Sequence, residues 1–475
     1  MVTPRLSLGD DRDEALAHAA ALVAHAWREF DEARDEEPGP TPQLRARLAE
    51  PLPQEPDDVI ASLDLAAEVL DASLAQSRPR YLAYIGSSGL EIGALADLLA
   101  HSYDVNLAID AGAATGLERQ AITWLAEFLG FPAATGAFTS GGTISNITAL
   151  AAARERALPG SRSTGMSGRL GALYCSAEAH YSVTRAAELL GIGREQVRDI
   201  AIDGWRRMDP ADLARRIEDD LAQGVTPIAV VATAGTTLTG AVDPIGAIAE
   251  VCESSGVWLH VDGAYGLPAA GAPTSRSRFA GLDRADSLGI DAHKWMFVPK
   301  ACSAILVRNT SELAAAFSHQ EDYIPHEGEE LNAVDITLEY SRPVRALKLW
   351  LALRVHGAQA FRDAIEGNLA QARLLYDLAD AHPDFRVQPH PPQLSIVPIR
   401  HEPSHCPDPD RHNDELCRAI QRDGRVYVSP AIIDGEPWLR PCFTNFRTTL
   451  DDVRITMAVA QEIGSGICRT HCSRP

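Results

Sequence analysis

Residues 291–295 read Asp-Ala-His-Lys-Trp, which sets Lys294 between a histidine and a tryptophan rather than among the polar neighbours of a solvated lysine. A lysine amine shielded from water is a nucleophile toward carbonyl carbon. Upstream, Asp262 ends an apolar run; downstream, Tyr323 stands alone in a polar stretch. A carboxylate, an amine and a phenol together can pair a cation, carry a carbonyl compound and deliver a proton. Taken alone, Lys294 reads equally as a strand cap with a local salt bridge, so the case rests on its surroundings.

Phe138-Thr-Ser-Gly-Gly-Thr-Ile-Ser-Asn146 follows a turn and precedes a helical stretch, Ile147–Arg156. Its glycines, Gly142 among them, together with Ser140 and Thr143 place backbone N–H groups and hydroxyls around an anion. It is not GxGxxG, nor a P-loop, because no lysine follows the second glycine. Ala177-Glu-Ala-His180 follows the apolar run ending at Cys175, where an imidazole can stack on a flat ring. Thr233-Ala-Gly-Thr-Thr237 offers hydroxyls to a phenolate or carboxylate. In Val261-Asp262-Gly-Ala264, the carboxylate can keep a pyridine nitrogen protonated, which turns the ring into an electron sink, and Ala264 is small enough to let the ring lie flat. Each of these is a common turn, cap or loop feature by itself. Together with Lys294 they converge on pyridoxal 5'-phosphate, held as a Schiff base.

These residues need a scaffold, and the apolar pattern supplies one. Ala172–Cys175, Ile228–Ala232, Val257–Val261 and Ser303–Val307 are short, almost wholly apolar, and separated by helical stretches. That predicts an α/β fold with a parallel sheet buried on both faces, in which ligands bind beyond the carboxyl ends of the strands. Before it, residues 11–35 and 57–74 read as amphipathic helices joined by a proline-rich linker. This segment, residues 1–76, has too little apolar surface to fold alone and is expected to pack on something larger, such as a second subunit. Residues 77–345 form the expected large domain. From 346 to 475 the pattern becomes a smaller α+β domain: helices at Ala346–Val355 and Leu369–Ala381, strands such as Arg425–Ser429, and a capping box at Thr449–Asp452 opening the last helix.

At 475 residues the chain is long enough for two or three domains. A formal charge of −22 argues against nucleic acid or an anionic membrane as partner. No apolar run approaches the roughly 18 residues a spanning helix needs. The beginning, Met1-Val-Thr-Pro-Arg5 followed by Asp10, Asp11, Asp13 and Glu14, does not read as a signal peptide. Eight cysteines without CxxC spacing suggest reduced structural thiols and a cytoplasmic home. Cys468, His471 and Cys472 read as a frayed tail rather than a metal corner, and no metal site is expected.

The chain resembles the group II pyridoxal-phosphate-dependent amino-acid decarboxylases, the family of aromatic-L-amino-acid and glutamate decarboxylases. The resemblance covers roughly residues 77–455 and its pieces occur in family order: Arg78-Pro-Arg-Tyr-Leu-Ala-Tyr84, Thr139-Ser-Gly-Gly-Thr143, Ala179-His180, Ala232–Thr237, His260-Val-Asp-Gly-Ala-Tyr265, His293-Lys-Trp295, Tyr323-Ile324, Ser341-Arg342 with Ala346–Trp350, and Leu439-Arg440 with Asn445. It implies the aspartate-aminotransferase-like fold (fold type I) and a homodimer with sites at the subunit interface. It also implies that Lys294 is the Schiff-base lysine, Asp262 the pyridinium partner and His180 the stacking ring. Gly142, Thr143 and His293 would lie near the phosphate, Thr233 near the ring or substrate carboxylate, and Tyr323 on a mobile loop that reprotonates the substrate carbon. The sequence departs from the pattern at Ala292 for the usual proline, Arg78 for histidine beside the substrate pocket, Gly263 for alanine and Gly116 for glutamate. The segment Tyr103–Ala114, which helps line the family's substrate pocket, looks shorter and carries Asp104, Asn106 and Asp110.

The implied reaction is loss of CO2 from an L-amino acid to give the amine, with aromatic substrates the family default and aliphatic, acidic or diamino acids the alternatives. A competing reaction on the same scaffold is oxidative deamination to an aldehyde; members of that kind tend to carry Phe at the position of Tyr323, so Tyr favours the simple decarboxylase.

Overall fold

The computed structural model describes residues 6–131, 135–319 and 332–472. Seven strands form the large sheet: β1 (Thr135–Thr139), β2 (Gly171–Ser176), β3 (Val197–Ile200), β4 (Thr226–Thr233), β5 (Trp258–Asp262), β6 (Ser287–Asp291) and β7 (Ser303–Val307). Their order is β1-β7-β6-β5-β4-β2-β3. The pairings among β2 to β6 are parallel, whereas β7 runs antiparallel to both of its neighbours. All four expected strands overlap observed ones. The direction of β7 was not foreseen: only the short helix Ala292–Trp295 separates it from β6, too little chain for the crossover that a parallel neighbour requires.

The alternation of side chains explains why these strands carry so few polar residues. Tyr174, Val230 and Ala232 enter the core on one face of the sheet, while Leu173, Cys175, Ala229 and Val231 enter the core on the other. Each fully buried Val or Leu contributes about 1.5–3 kcal/mol. Burial also raises the thiols of Cys175, Cys252 and Cys302 to about 12, so these are inert packing residues.

A second, antiparallel sheet comprises β8 (Phe385–Val387), β9 (Ile399–His401), β10 (Ser429–Ile433) and β11 (Glu436–Arg440), in the order β10-β11-β9-β8. The strand expected at Arg425–Ser429 begins only at Ser429. Tyr427 instead makes an isolated bridge to Tyr81, and the two rings stack at 5.4 Å.

The N-terminal helices span Arg12–Phe30 and Val59–Asp71, with a further short helix, Pro42–Arg47, inside the expected linker. Thr41 caps that helix through the N–H of Leu44, and Pro42 occupies its first turn. Arg78, which stands where the resemblance has a histidine, is held by the N-terminal helix. Its guanidinium donates to the carbonyls of Glu29 (2.6 Å) and Glu32 (3.0 Å), closing the end of the first long helix.

The two helices expected after residue 345 lie within Ala346–Asp380 and meet at a kink at Gly357, where φ is 73°; the second begins earlier than the expected Leu369. Residues Ala346 to Ile365 pack into the core of the large sheet, and Ala372 to Ala379 into the core of the small one. Between them Asn368 accepts a hydrogen bond from the indole of Trp295 (2.9 Å) and donates to the carbonyl of Asn445 (2.9 Å). The last helix, Leu450–Cys472, opens with the expected reciprocal box: the Thr449 N–H donates to Asp452 (2.9 Å), and the Asp452 N–H donates to the Thr449 hydroxyl (3.2 Å). That helix continues through Cys468, read from sequence as part of a frayed tail; Cys468 is buried with its Sγ 3.7 Å from Nδ1 of His412.

Candidate active site

Most of the residues singled out from sequence meet at the carboxyl ends of β2, β4, β5 and β6. Thr233 ends β4 and Asp262 ends β5, and they are register partners across the parallel pair. Lys294 and His293 follow the end of β6, and His180 follows β2. Gly142 and Thr143 open the helix Gly142–Ala157, which lies against β4, β5, β6 and β7.

The geometry ties these groups together. The Lys294 amine lies 2.8 Å from Oδ2 of Asp291, and the Ser303 hydroxyl donates to Oδ1 of the same carboxylate at 2.5 Å. Nε2 of His293 stands 3.8 Å from Asp291, and Nδ1 accepts the Cys302 N–H at 3.2 Å. Burial alone would push the Asp291 carboxyl up. The charges of Lys294 and His293 and the hydrogen bonds from Lys294 and Ser303 outweigh it, so it titrates below its ordinary range. Burial also lowers the imidazoles of His180 and His293. The Lys294 side chain remains 24% exposed, so this amine is neither sealed in apolar surroundings nor solvated. A local salt bridge does form, with a buried partner that faces the same crevice.

On the β5 side, Asp262 accepts from Nδ2 of Asn146 (2.8 Å) and from the Ala264 N–H (3.1 Å). Asn146 also donates to Ser182, whose hydroxyl contacts Nδ1 of His180 at 2.8 Å. Thr233 is held from behind: buried Asp243 accepts its N–H at 2.7 Å. A Cβ at Gly142 would lie 3.0 Å from Cβ of Ala264 and from Oδ2 of Asp291, so glycine lets the helix start approach both. Gly263, where the resemblance expects alanine, abuts Leu267, whose Cγ would be 1.9 Å from an added Cβ.

Tyr323 lies outside the described residues. Asp104, Asn106 and Asp110 serve turns. Asp104 ends the helix Glu91–Tyr103 in the left-handed region (φ 48°), Asn106 accepts the N–H groups of Ala108 and Arg342, and Asp110 accepts that of Gly112. The sequence reading missed the roles of Asn146, Asp291, Ser182 and His260. A signal existed for two of them: Asp291 precedes Lys294 by one helical turn, and His260 alternates with Asp262 on one strand.

Residues 41–399 match the pyridoxal-dependent decarboxylase conserved domain. The chain is 34% identical to an aromatic-L-amino-acid decarboxylase of Bacillus atrophaeus, over 88% of this chain and 89% of that one. It is 30% identical to tryptophan decarboxylase 1 of Oryza sativa subsp. japonica, over 84% of this chain and 82% of the relative. The crystal structure of Oryza sativa TDC with PLP and tryptamine matches with a TM-score of 0.91 at 25% identity, covering 98% of this chain and 100% of that one. The large, mostly parallel sheet is accordingly that of the fold type I pyridoxal-phosphate enzymes. The chain belongs to the pyridoxal-dependent decarboxylase family and is a pyridoxal-phosphate-dependent amino-acid decarboxylase.

Proposed function

We propose that the chain converts an aromatic L-amino acid to its amine and CO2, with the cofactor carried on Lys294. The observation that carries this assignment of roles is the convergence of an amine, a carboxylate and a hydroxyl at three adjacent strand ends: Lys294 after β6, Asp262 on β5 and Thr233 on β4. The residues present suit the cofactor. Oγ1 of Thr233 is buried without a hydrogen-bond partner among the described residues, an arrangement suited to a ligand oxygen. Gly142 keeps the helix start open for close backbone approach by a phosphate.

Pyridoxal phosphate supplies, when bound, an electron sink conjugated to the substrate Cα. Lys294 holds it through Nζ and exchanges places with the substrate amine. Asp262 keeps the ring nitrogen protonated, and its two hydrogen-bond donors keep the carboxylate itself in place. His180 and Ala264 would flank the ring, and Gly142, Thr143 and His293 would hold the phosphate. Thr233 donates to the phenolate or to the substrate carboxylate. The pocket holds the Cα–carboxylate bond perpendicular to the ring, which is where orientation contributes to rate. Tyr323 would return a proton to Cα, and the Lys294 amine would hold the cofactor again once the product leaves.

The aromatic substrate is supported by the names of the relatives, and the active form is a cytoplasmic homodimer. Leu16, Val23 and Leu70 on the N-terminal helices, and Leu74 just beyond them, are exposed in the single chain and suit a segment, residues 1–76, that packs on the partner. Residues 77–345 and 346–475 are its large and small domains. No helix among the described residues is long and apolar enough to cross a membrane.

The test is mass spectrometry of the products formed by the cofactor-loaded protein from each proteinogenic amino acid and several diamino acids. An amine from Trp, Tyr or Phe is expected. An amine only from an acidic, aliphatic or diamino acid would overturn the substrate class, and aldehyde with ammonia would overturn the reaction.

A further inference from the structure

Behind the crevice a chain of buried side chains runs from β5 to the end of β2. The indole N–H of Trp258 donates to Oγ of Ser287 at 2.8 Å, Ser287 lies 2.8 Å from Nδ1 of His260, and Nε2 of His260 lies 3.0 Å from Oδ1 of Asn146. Asn146 then spends both of its N–H bonds, on Asp262 and on Ser182, and Ser182 lies 2.8 Å from Nδ1 of His180. Trp258, Ser287, His260, Asn146 and Ser182 are each at most 1% exposed.

The direction of every bond in this chain is determined. An indole nitrogen can only donate, so the Ser287 oxygen accepts from Trp258; a hydroxyl oxygen can accept a second bond, so the direction of its contact with Nδ1 of His260 follows from the Asp262 end of the chain. A neutral imidazole that accepts at Nδ1 carries its proton on Nε2, which makes it the donor to the Asn146 carbonyl. Burial lowers His260 to about 4, which keeps it neutral. At the other end, Asp262 is a carboxylate and requires a donor, so the Asn146 amide cannot be flipped. Ser182 accepts from Asn146 and donates to Nδ1 of His180, which also faces the Ser182 backbone N–H at 3.3 Å. His180 therefore carries its proton on Nε2.

We propose that Asn146 and His260 are positioning residues that set the hydrogen-bonding state of two crevice groups at once: Asp262 as a fixed acceptor and His180 as an Nε2–H donor. Asp262, as the acceptor of the Asn146 amide, sets the direction, and Asn146 is the branch point from which both groups are served. This rests on the assignment of Asp262 and His180 made above. It adds that their hydrogen bonding is imposed by buried neighbours on the same face of the sheet rather than by the ligand.

The experiment compares the wild-type protein with Asn146→Leu, His260→Leu, His260→Gln and Asp262→Asn. The first readout, nitrogen NMR of labelled histidines in the cofactor-free protein, needs no catalysis. Both His260 and His180 should carry the proton on Nε2, and in Asn146→Leu the preference at His180 should weaken. The second readout is the affinity for pyridoxal phosphate and the visible absorption of the bound cofactor. Asn146→Leu and His260→Leu should each weaken affinity roughly 10- to 100-fold, the range expected when a buried charge loses a donor. His260→Gln, whose amide can still donate to Asn146, should restore most of it. A proton on Nδ1 of either histidine in the wild type overturns the proposal whether or not the variants fold. So does a folded Asn146→Leu with unchanged affinity and absorption. Wild-type affinity in Asp262→Asn would instead sink Asp262 as the ring partner, and the two tautomers would still decide the chain.

Discussion

Nζ of Lys294 lies 2.8 Å from Oδ2 of Asp291, one turn back along a four-residue helix, and the partner is almost fully buried while the lysine is not. The pair places a fixed negative charge beneath the amine and leaves the amine's outer side reachable. Lys294→Ala should abolish covalent capture of the cofactor, read as loss of the borohydride-stabilised adduct in the intact mass. Amine formation should fall by roughly 10²- to 10⁴-fold or more. A stable adduct in that variant would move the anchor elsewhere.

Asp291→Asn should destabilise the protein by about 1–3 kcal/mol at neutral pH, since a buried acceptor is lost and Lys294 keeps some solvent. Because the folded carboxyl titrates below its ordinary range, its contribution is full above about pH 4 and is lost as the pH falls further. Urea titrations at pH 7 and pH 3 should therefore show the gap between variant and wild type closing at the lower pH.

Thr233 offers a cleaner separation of fold from function. Its Oγ1 is buried and unpartnered among the described residues. Thr233→Val should leave the thermal stability of the cofactor-free protein unchanged or raise it by up to about 1 kcal/mol. In the loaded enzyme the same change should raise KM or weaken cofactor binding. Loss of stability without loss of affinity would make the hydroxyl structural.

Tyr323→Phe should retain CO2 release while shifting the product from amine toward aldehyde, with dioxygen as the oxidant and hydrogen peroxide and ammonia released. Product analysis under air decides it. Amine as the sole product would remove Tyr323 from the proton delivery step.

Buried titrating groups pull in opposite directions with pH. His260 and His401 are held at about 4, whereas the unfolded side chain titrates near about 6.5, so both add stability as the pH rises through that window. Burial raises Asp243 to about 6, so its folded form holds a proton that the unfolded chain has lost, and stability falls as the pH rises from about 4 to 6. The wild type should gain stability between these limits. Asp243→Asn should steepen the gain and His260→Gln should flatten it, each by roughly 1.4 kcal/mol per pH unit at most. Midpoints of thermal denaturation across the range test the signs.

The legible part of this molecule was the part written in short range. Thr233 and Asp262 were found because each sits where an apolar strand stops, Lys294 because it stands between a histidine and a tryptophan, and the small helix cap at Thr449 because its box spans four residues. Asn146 was in plain view within a glycine-rich motif, but its role depends on His260 and Asp262 across the sheet, and no spacing in the chain reports a contact between distant elements. The partners of Arg78 were hidden for the same reason: the carbonyls of Glu29 and Glu32 are backbone atoms that have no sequence signature. The two helices within Ala346–Asp380 were legible, but not where the second begins: the backbone breaks only at Gly357, a kink, and the helix that follows starts well before Leu369.

That helix also has a mechanical meaning. Asn368 is bonded on one side to Trp295, the residue after Lys294, and on the other to the backbone of Asn445 beside the small sheet's core. The two cores are thus geared through this amide, alongside bonds such as that of Tyr265 to Ser395, with no loop at Asn368 to take up slack. A shift of the small sheet by an ångström arrives at the lysine's own neighbour, so the tolerance with which the anchor is aimed is set partly by packing on the opposite side of the molecule.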